Sequence, residues 1–196
     1  MSTIDMNLLK KLRDTTFAPL KDCKEALVEA NGDLEGAMEW LKKKGAASAA
    51  KKADRETNEG VVKVIKDGNR IVGIKIACET DFVANTEAVR QFAQDLCLQI
   101  AANKALYISP DQVDQKFLEH ERDIFRQQMA DSGKPEKIIE QVIEGKVKKL
   151  YSDICLLEQQ FIKNDQVLVK DVLQELIAKT GESIRIRRFC RFELGK

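Results

Sequence analysis

The run IACETDFVA at Ile76 to Ala84 constrains this chain more than any other stretch, because the spacing of its apolar side chains changes inside it. Val72, Ile74, Ile76 and Cys78 fall on one face of a strand, and a helical pattern begins a few residues later at Phe82. An acidic residue beside an aromatic ring at such a corner is either a structural stop or a wedge for a partner. The question decides how the rest of the chain is understood.

Around this corner the pattern is that of an α+β protein. Gly60 to Lys66 and Arg70 to Cys78 flank Asp67, Gly68 and Asn69, turn residues that tolerate positive φ, and predict a hairpin. Ile184, Ile186, Cys190, Phe192 and Leu194 alternate near the end of the chain, interrupted by Arg188, and predict a third strand. One helix is expected from about Phe82 to Asn103 through Val89, Phe92, Leu96 and Ile100. A second opens at Ser109 and Pro110 and carries Val113, Phe117, Ile124 and Phe125. Gly133 and Pro135 separate it from a third with Ile139, Val142, Ile143 and Leu150. A last helix carries Val169, Val172, Leu173, Leu176 and Ile177 and stops at Gly181. Few strands and segregated helices place a small three-stranded antiparallel sheet in a helical domain over residues 60–196.

Residues 1–44 form a separate pattern of three short helices. Ile4, Leu8 and Leu12 make one stripe, Leu20, Cys23 and Leu27 a second, and Leu34, Met38 and Leu41 a third. Pro19 suits a first helical turn, and Asn31, Gly32 and Asp33 supply a stop and a new cap. Residues 45–59, GAASAAKKADRETNE, lose the apolar period and read as a linker, partly helical by composition, that lets the first module move.

Composition removes several function classes. The 33 Lys and Arg balance 32 acids, so a net charge of +1 gives no broad attraction to nucleic acid or anionic lipid. No apolar run is long enough for a membrane span and the first residues lack a secretory core, which predicts a cytoplasmic protein. Cys23, Cys78, Cys97, Cys155 and Cys190 show no metal-ligand spacing and are expected to be reduced thiols, three of them at buried apolar positions. No phosphate-cradling glycine loop occurs, and the single histidine, His120, lies among charged residues on an expected helix without a nucleophile partner. Glu119 and Glu121 are two apart on that helix and face different ways. Arg185, Arg187, Arg188 and Arg191 are read as charges guarding a strand edge, and Trp40 as packing. No catalytic residue, metal or cofactor is expected. Counting back seven residues from Val89 lands on Phe82, so spacing alone leaves its ring either core or wedge, with Asp81 as the helix N-cap in both cases.

Five separated motifs add a family likeness: Leu12 to Leu41, EGVV at Glu59 to Val62, TDFVA at Thr80 to Ala84, SGKP at Ser132 to Pro135, and RRFCRFELG at Arg187 to Gly195. In these the chain resembles the elongation factor Ts family, guanine-nucleotide exchange factors of elongation factor Tu, in a short form with one copy of the core subdomain. The resemblance implies a ubiquitin-associated-like first module that rests on the partner through Arg13, Pro19, Leu20, Lys21 and Lys24. It also implies that Thr80, Asp81, Phe82 and Val83 press on the partner's switch and phosphate elements and dislocate its magnesium, so that GDP leaves. The chain departs from the family at Phe17 to Leu20, where Gly-Ala-Gly-Met is common; an apolar residue is kept at the end of the turn. The short form implies a homodimer, with the final strand and Cys190 as interface candidates. The rival reading is an adapter whose first module binds a protein while the larger domain serves as scaffold.

Overall fold

The structure, a computed structural model, describes residues 5–16, 18–129 and 135–195. Three helices come first: α1 (Met6–Thr16), α2 (Leu20–Glu29) and α3 (Leu34–Lys52). They enclose a small core of Leu9, Leu12, Cys23, Ala26, Leu27 and Ala37, against which Trp40 packs. Asn31 and Gly32 take positive φ between α2 and α3, and the Asp33 carboxylate accepts the Gly36 N–H at 2.8 Å, so stop and cap fall where the sequence puts them. Pro19 stands one residue before α2, and Leu20, expected in the apolar stripe, is 45% exposed. Ile4 lies outside the described residues.

The helix α3 does not end near residue 44. It runs through residues 45–52 of the stretch expected to be a linker, and lies along a later helix, α8 (Val169–Thr180). Alanines and lysines are strong helix formers, and the small side chains at Gly45 and Ala49 allow close approach to neighbouring elements.

Strands β1 (Glu59–Asp67), β2 (Arg70–Cys78) and β5 (Ile184–Glu193) form an antiparallel sheet in the order β1-β2-β5. Gly68 adopts φ +59° in the hairpin turn. Between β2 and β5 come α4 (Asp81–Ala84), α5 (Glu87–Ala102), α6 (Gln115–Met129), α7 (Glu136–Ile154), a short hairpin of β3 (Gln160–Phe161) and β4 (Asn164–Leu168), and α8. One sheet face packs Val72, Ile74, Ile76 and Cys78 against Val89, Phe92, Leu96 and Ile100 of α5, with Leu156, Phe161, Val169 and Ile177 completing the core. α6 and α7 close over a seam of their own at Leu118, Ile143 and Val147.

Three expectations change. The helix expected from Phe82 is two helices, because Asn85 and Thr86 interrupt it and Thr86 caps α5 by accepting the Val89 N–H. The helix expected from Ser109 is a 3-10 turn at Pro110–Gln112 followed by a fresh start at Gln115. Its stop at Gly133 lies outside the described residues. The alternation expected along β5 breaks at Arg187: Ile76 pairs with Ile186 but Lys75 pairs with Arg188, leaving Arg187 as an extra residue. Ile184 and Ile186 therefore face the core, whereas Cys190 and Phe192 face outward.

Gly60 explains the glycine of the EGVV motif. A Cβ there would stand 2.1 Å from the Ile76 carbonyl oxygen, in a backbone at φ +156°. Gly60→Ala is expected to destabilise the protein by about 2 kcal/mol or more, read from urea unfolding midpoints, because backbone atoms cannot give way as a side chain can.

Candidate protein-docking site

At the end of β2 the chain leaves the sheet and makes one helical turn. The Thr80 hydroxyl caps that turn, accepting the Val83 N–H at 3.3 Å. Thr80 takes the role expected of Asp81, which is exposed and already the first helical residue. Val83 packs against the core and Ala84 is buried, so the turn is fastened from below. Phe82 points the other way and is 82% exposed. The break at Asn85 and Thr86 resets the helical phase between Phe82 and Val89, so counting sevens across it fails. The ring is not core.

The corner is held from the side by residues that sequence reasoning missed. The Glu182 carboxylate accepts the Thr80 N–H at 3.0 Å and the Thr80 hydroxyl at 2.7 Å. One residue earlier, Glu79 accepts the Ser183 N–H and meets the Arg55 guanidinium at 3.3 Å. Three of these bonds tie the exit of β2 to the entry of β5, and the fourth ties it to the segment before β1. The Asn85 amide adds a bond to the Asp81 carbonyl at 2.9 Å, and Thr86 donates to the Val83 carbonyl at 2.7 Å. The only local sign of Glu182 was its place just after the helix stop at Gly181, where φ is +76°.

The second group of expected residues lies at the α1–α2 corner. Arg13 is in the last turn of α1, and Pro19, Leu20, Lys21 and Lys24 occupy the start of α2; all five are exposed. Phe17, part of the same turn, lies outside the described residues. The fold therefore gathers the expected site residues into two patches, one on each unit.

Cys23, Cys78, Cys97 and Cys155 are buried, and burial raises the pKa of each thiol, to about 11 for Cys78, Cys97 and Cys155. At Cys78 the Glu182 charge adds to the effect. Thiols so placed are poor nucleophiles. Among the described residues no group of His, Cys, Asp and Glu could hold a metal ion, and no helix is long and apolar enough to cross a membrane. Of the four arginines read as an edge guard, Arg185 donates to the Arg55 carbonyl and Arg187 to the Thr57 hydroxyl, while Arg191 is half-buried against Glu193. Arg185 and Arg187 thus fasten the segment at residues 55–57 to the strand.

A three-helix unit joined to an α+β body, with an exposed aromatic ring on a braced corner, defines a protein built to present contact surfaces. A family profile described as Elongation factor TS matches residues 68–196. The chain is 50% identical over 195 residues to an elongation factor Ts of Caldanaerobacter subterraneus subsp. tengcongensis, covering 98% of both chains. It is 51% identical to one of Carboxydothermus hydrogenoformans, covering 98% of this chain and 90% of that one. Against one of Thermotoga maritima the identity is 48%, with 98% and 97% covered. The chain belongs to the elongation factor Ts family.

The brace makes a pH prediction. The Ser183 N–H, aided by Arg55, holds the Glu79 carboxyl below its ordinary range. A carboxylate with a lowered pKa in the folded state stabilises above its unfolded pKa and loses that contribution as pH falls through the folded value. The stability gap between wild type and Glu79→Gln is therefore expected to be full above the ordinary carboxylate range and to close as the pH falls through and below it, measured by urea midpoints.

Proposed function

We propose that this chain is a guanine-nucleotide exchange factor for elongation factor Tu in translation elongation, working in the cytoplasm through protein contacts alone, without catalytic residues, cofactor, nucleic acid or membrane. It binds the GDP form, disturbs the partner's magnesium and phosphate site, promotes GDP release and stabilises the nucleotide-free form until GTP binds. The observation that carries this reading is the exposed Phe82 ring on a turn whose other side is packed and bonded. A ring with no packing duty, held in one direction, suits a wedge. Phe82 enters the partner, Thr80 and Val83 complete the contact, and Asp81 meets polar groups of the magnesium site. Residues 1–44 act as the docking module, resting on the nucleotide-binding domain through Arg13, Pro19, Leu20, Lys21 and Lys24, and residues 60–196 form the body.

The energetics follow from linkage. A factor that binds the emptied partner more tightly must be bound less tightly once nucleotide and magnesium return. Weakening GDP a thousandfold requires about 4 kcal/mol of differential binding. One aromatic hot spot supplies ~2 kcal/mol or more, so Phe82 is a major contributor and the α1–α2 patch shares the remainder.

We also place a second copy of the chain against the outward face of the sheet. Val62 and Phe192 there are 68% and 67% exposed, joined by Val64 and Ile71, an apolar set on a face opposite the core. Cys190, on the edge strand β5 and across from Gly73, belongs to the same face and is an interface residue.

Two experiments test these statements. Stopped-flow release of fluorescent GDP from elongation factor Tu should accelerate with the wild-type chain. With Phe82→Ala it should slow about tenfold or more, while the melting temperature stays within about 0.5 kcal/mol equivalent of wild type. Stable binding with no acceleration would favour the adapter reading. Sedimentation at micromolar concentration should give a dimer, and Val64→Glu a monomer; wild-type monomer under reducing and non-reducing conditions alike would refute the pairing.

A further inference from the structure

The stretch between the three helices and the sheet is held at both ends, although its composition resembles a tether. On the module side, a Cβ on Gly45 would stand 4.0 Å from the Ala178 Cβ of α8, and Ala49 packs against the main core. Lys42 Nζ lies 2.9 Å from Asp171 Oδ2, a carboxylate that also accepts the Leu168 N–H at the start of α8. On the sheet side, Arg185 donates to the Arg55 carbonyl at 3.2 Å, Arg187 donates to the Thr57 hydroxyl at 2.7 Å, and Thr57 is buried. Arg55 in turn meets Glu79, the residue before Thr80. A bonded path thus leads from the end of α3 to the corner that carries Phe82. A groove of about 260 Å³ is lined by Thr16 at the end of α1 and by Ala88 and Gln91 of α5, so the α1–α2 corner sits beside the helix that follows Phe82.

We infer that residues 45–58 act as a strut that holds the α1–α2 patch and the Phe82 corner at one separation, so that a single nucleotide-binding partner meets both at once. Lys42, Gly45, Arg55 and Arg187 are positioning residues for nucleotide release. The inference rests on the exchange reading above. A flexible tether of this length would let its ends wander over about 20 Å, and the second contact would then have to be found by search. A strut presents it already placed, with less ordering entropy lost on binding.

The test uses the full chain, Cys190→Ser, with spin labels on Val28→Cys and Glu87→Cys, diluted with unlabelled chain. Electron–electron distance measurement should give one narrow distribution. Gly45→Ala, whose added methyl fits beside Ala178, should keep both that distribution and the rate of GDP release. Gly45→Leu should shift or broaden the distribution, slow release on the order of tenfold and raise the half-saturating concentration. Arg187→Ala should act in the same direction, with the melting temperature following neither change. A broad wild-type distribution would overturn the strut, as would a Gly45→Leu chain that moves the distance yet releases GDP at the wild-type rate. If the wild-type chain fails to accelerate release, the exchange reading falls and the positioning role with it. The wild-type distance distribution separates that failure from failure of the strut itself.

Discussion

The exit of β2 and the entry of β5 are joined by two glutamates, Glu79 and Glu182, whose carboxylates accept from Ser183 and Thr80 across more than a hundred residues of chain. The partners are neighbours only because β2 and β5 pair, and β5 is the last strand. Closing so long a loop costs entropy that must be recovered by contacts made along the way, chiefly the packing of α5 and α8 on the sheet. The direction of the Phe82 ring is therefore set by the completed fold and not by the short run of sequence around it. An aromatic residue on a four-residue helix would otherwise be poorly held.

The same economy appears in where apolar surface is left uncovered. The core face of the sheet is filled, yet an aromatic ring at the corner and an apolar set on the opposite sheet face remain open to water. Burying such groups on a partner yields roughly 25 cal/mol per Å² of apolar area. They add nothing to the isolated fold and are available for association. The arginines of β5 complement this arrangement by fastening residues 55–57 beside the strand, so that the edge near the corner is occupied.

Features whose cause is local were legible in the sequence. The alternation of β2, the turn at Gly68, the Asp33 cap and the stop at Gly181 each depend on a few adjacent residues, and each is found where the pattern predicts. Features decided by distant partners were not. The extra residue at Arg187 is a mismatch between two strands and turns Cys190 and Phe192 away from the face of Ile184 and Ile186. Residues 45–52 have a composition compatible with linker or helix, and α8 decides between them. At the candidate site, sequence supplied the residues but left two roles for Phe82. Thr86 restarts the helical phase by capping α5, a break that a seven-residue count from Val89 passes over. Glu182, which braces the corner, carried no local signal beyond its place just after the stop at Gly181.

The proposed exchange depends on differential affinity: this chain should hold the emptied GTPase more firmly than the loaded one. Isothermal titration of the chain into nucleotide-free elongation factor Tu, and into the same protein saturated with GDP and magnesium, measures that difference directly. Binding tighter by about a thousandfold to the empty form, or about 4 kcal/mol, is the predicted result. Equal affinity for the two forms would contradict it, because a ligand that does not distinguish two states cannot shift the balance between them.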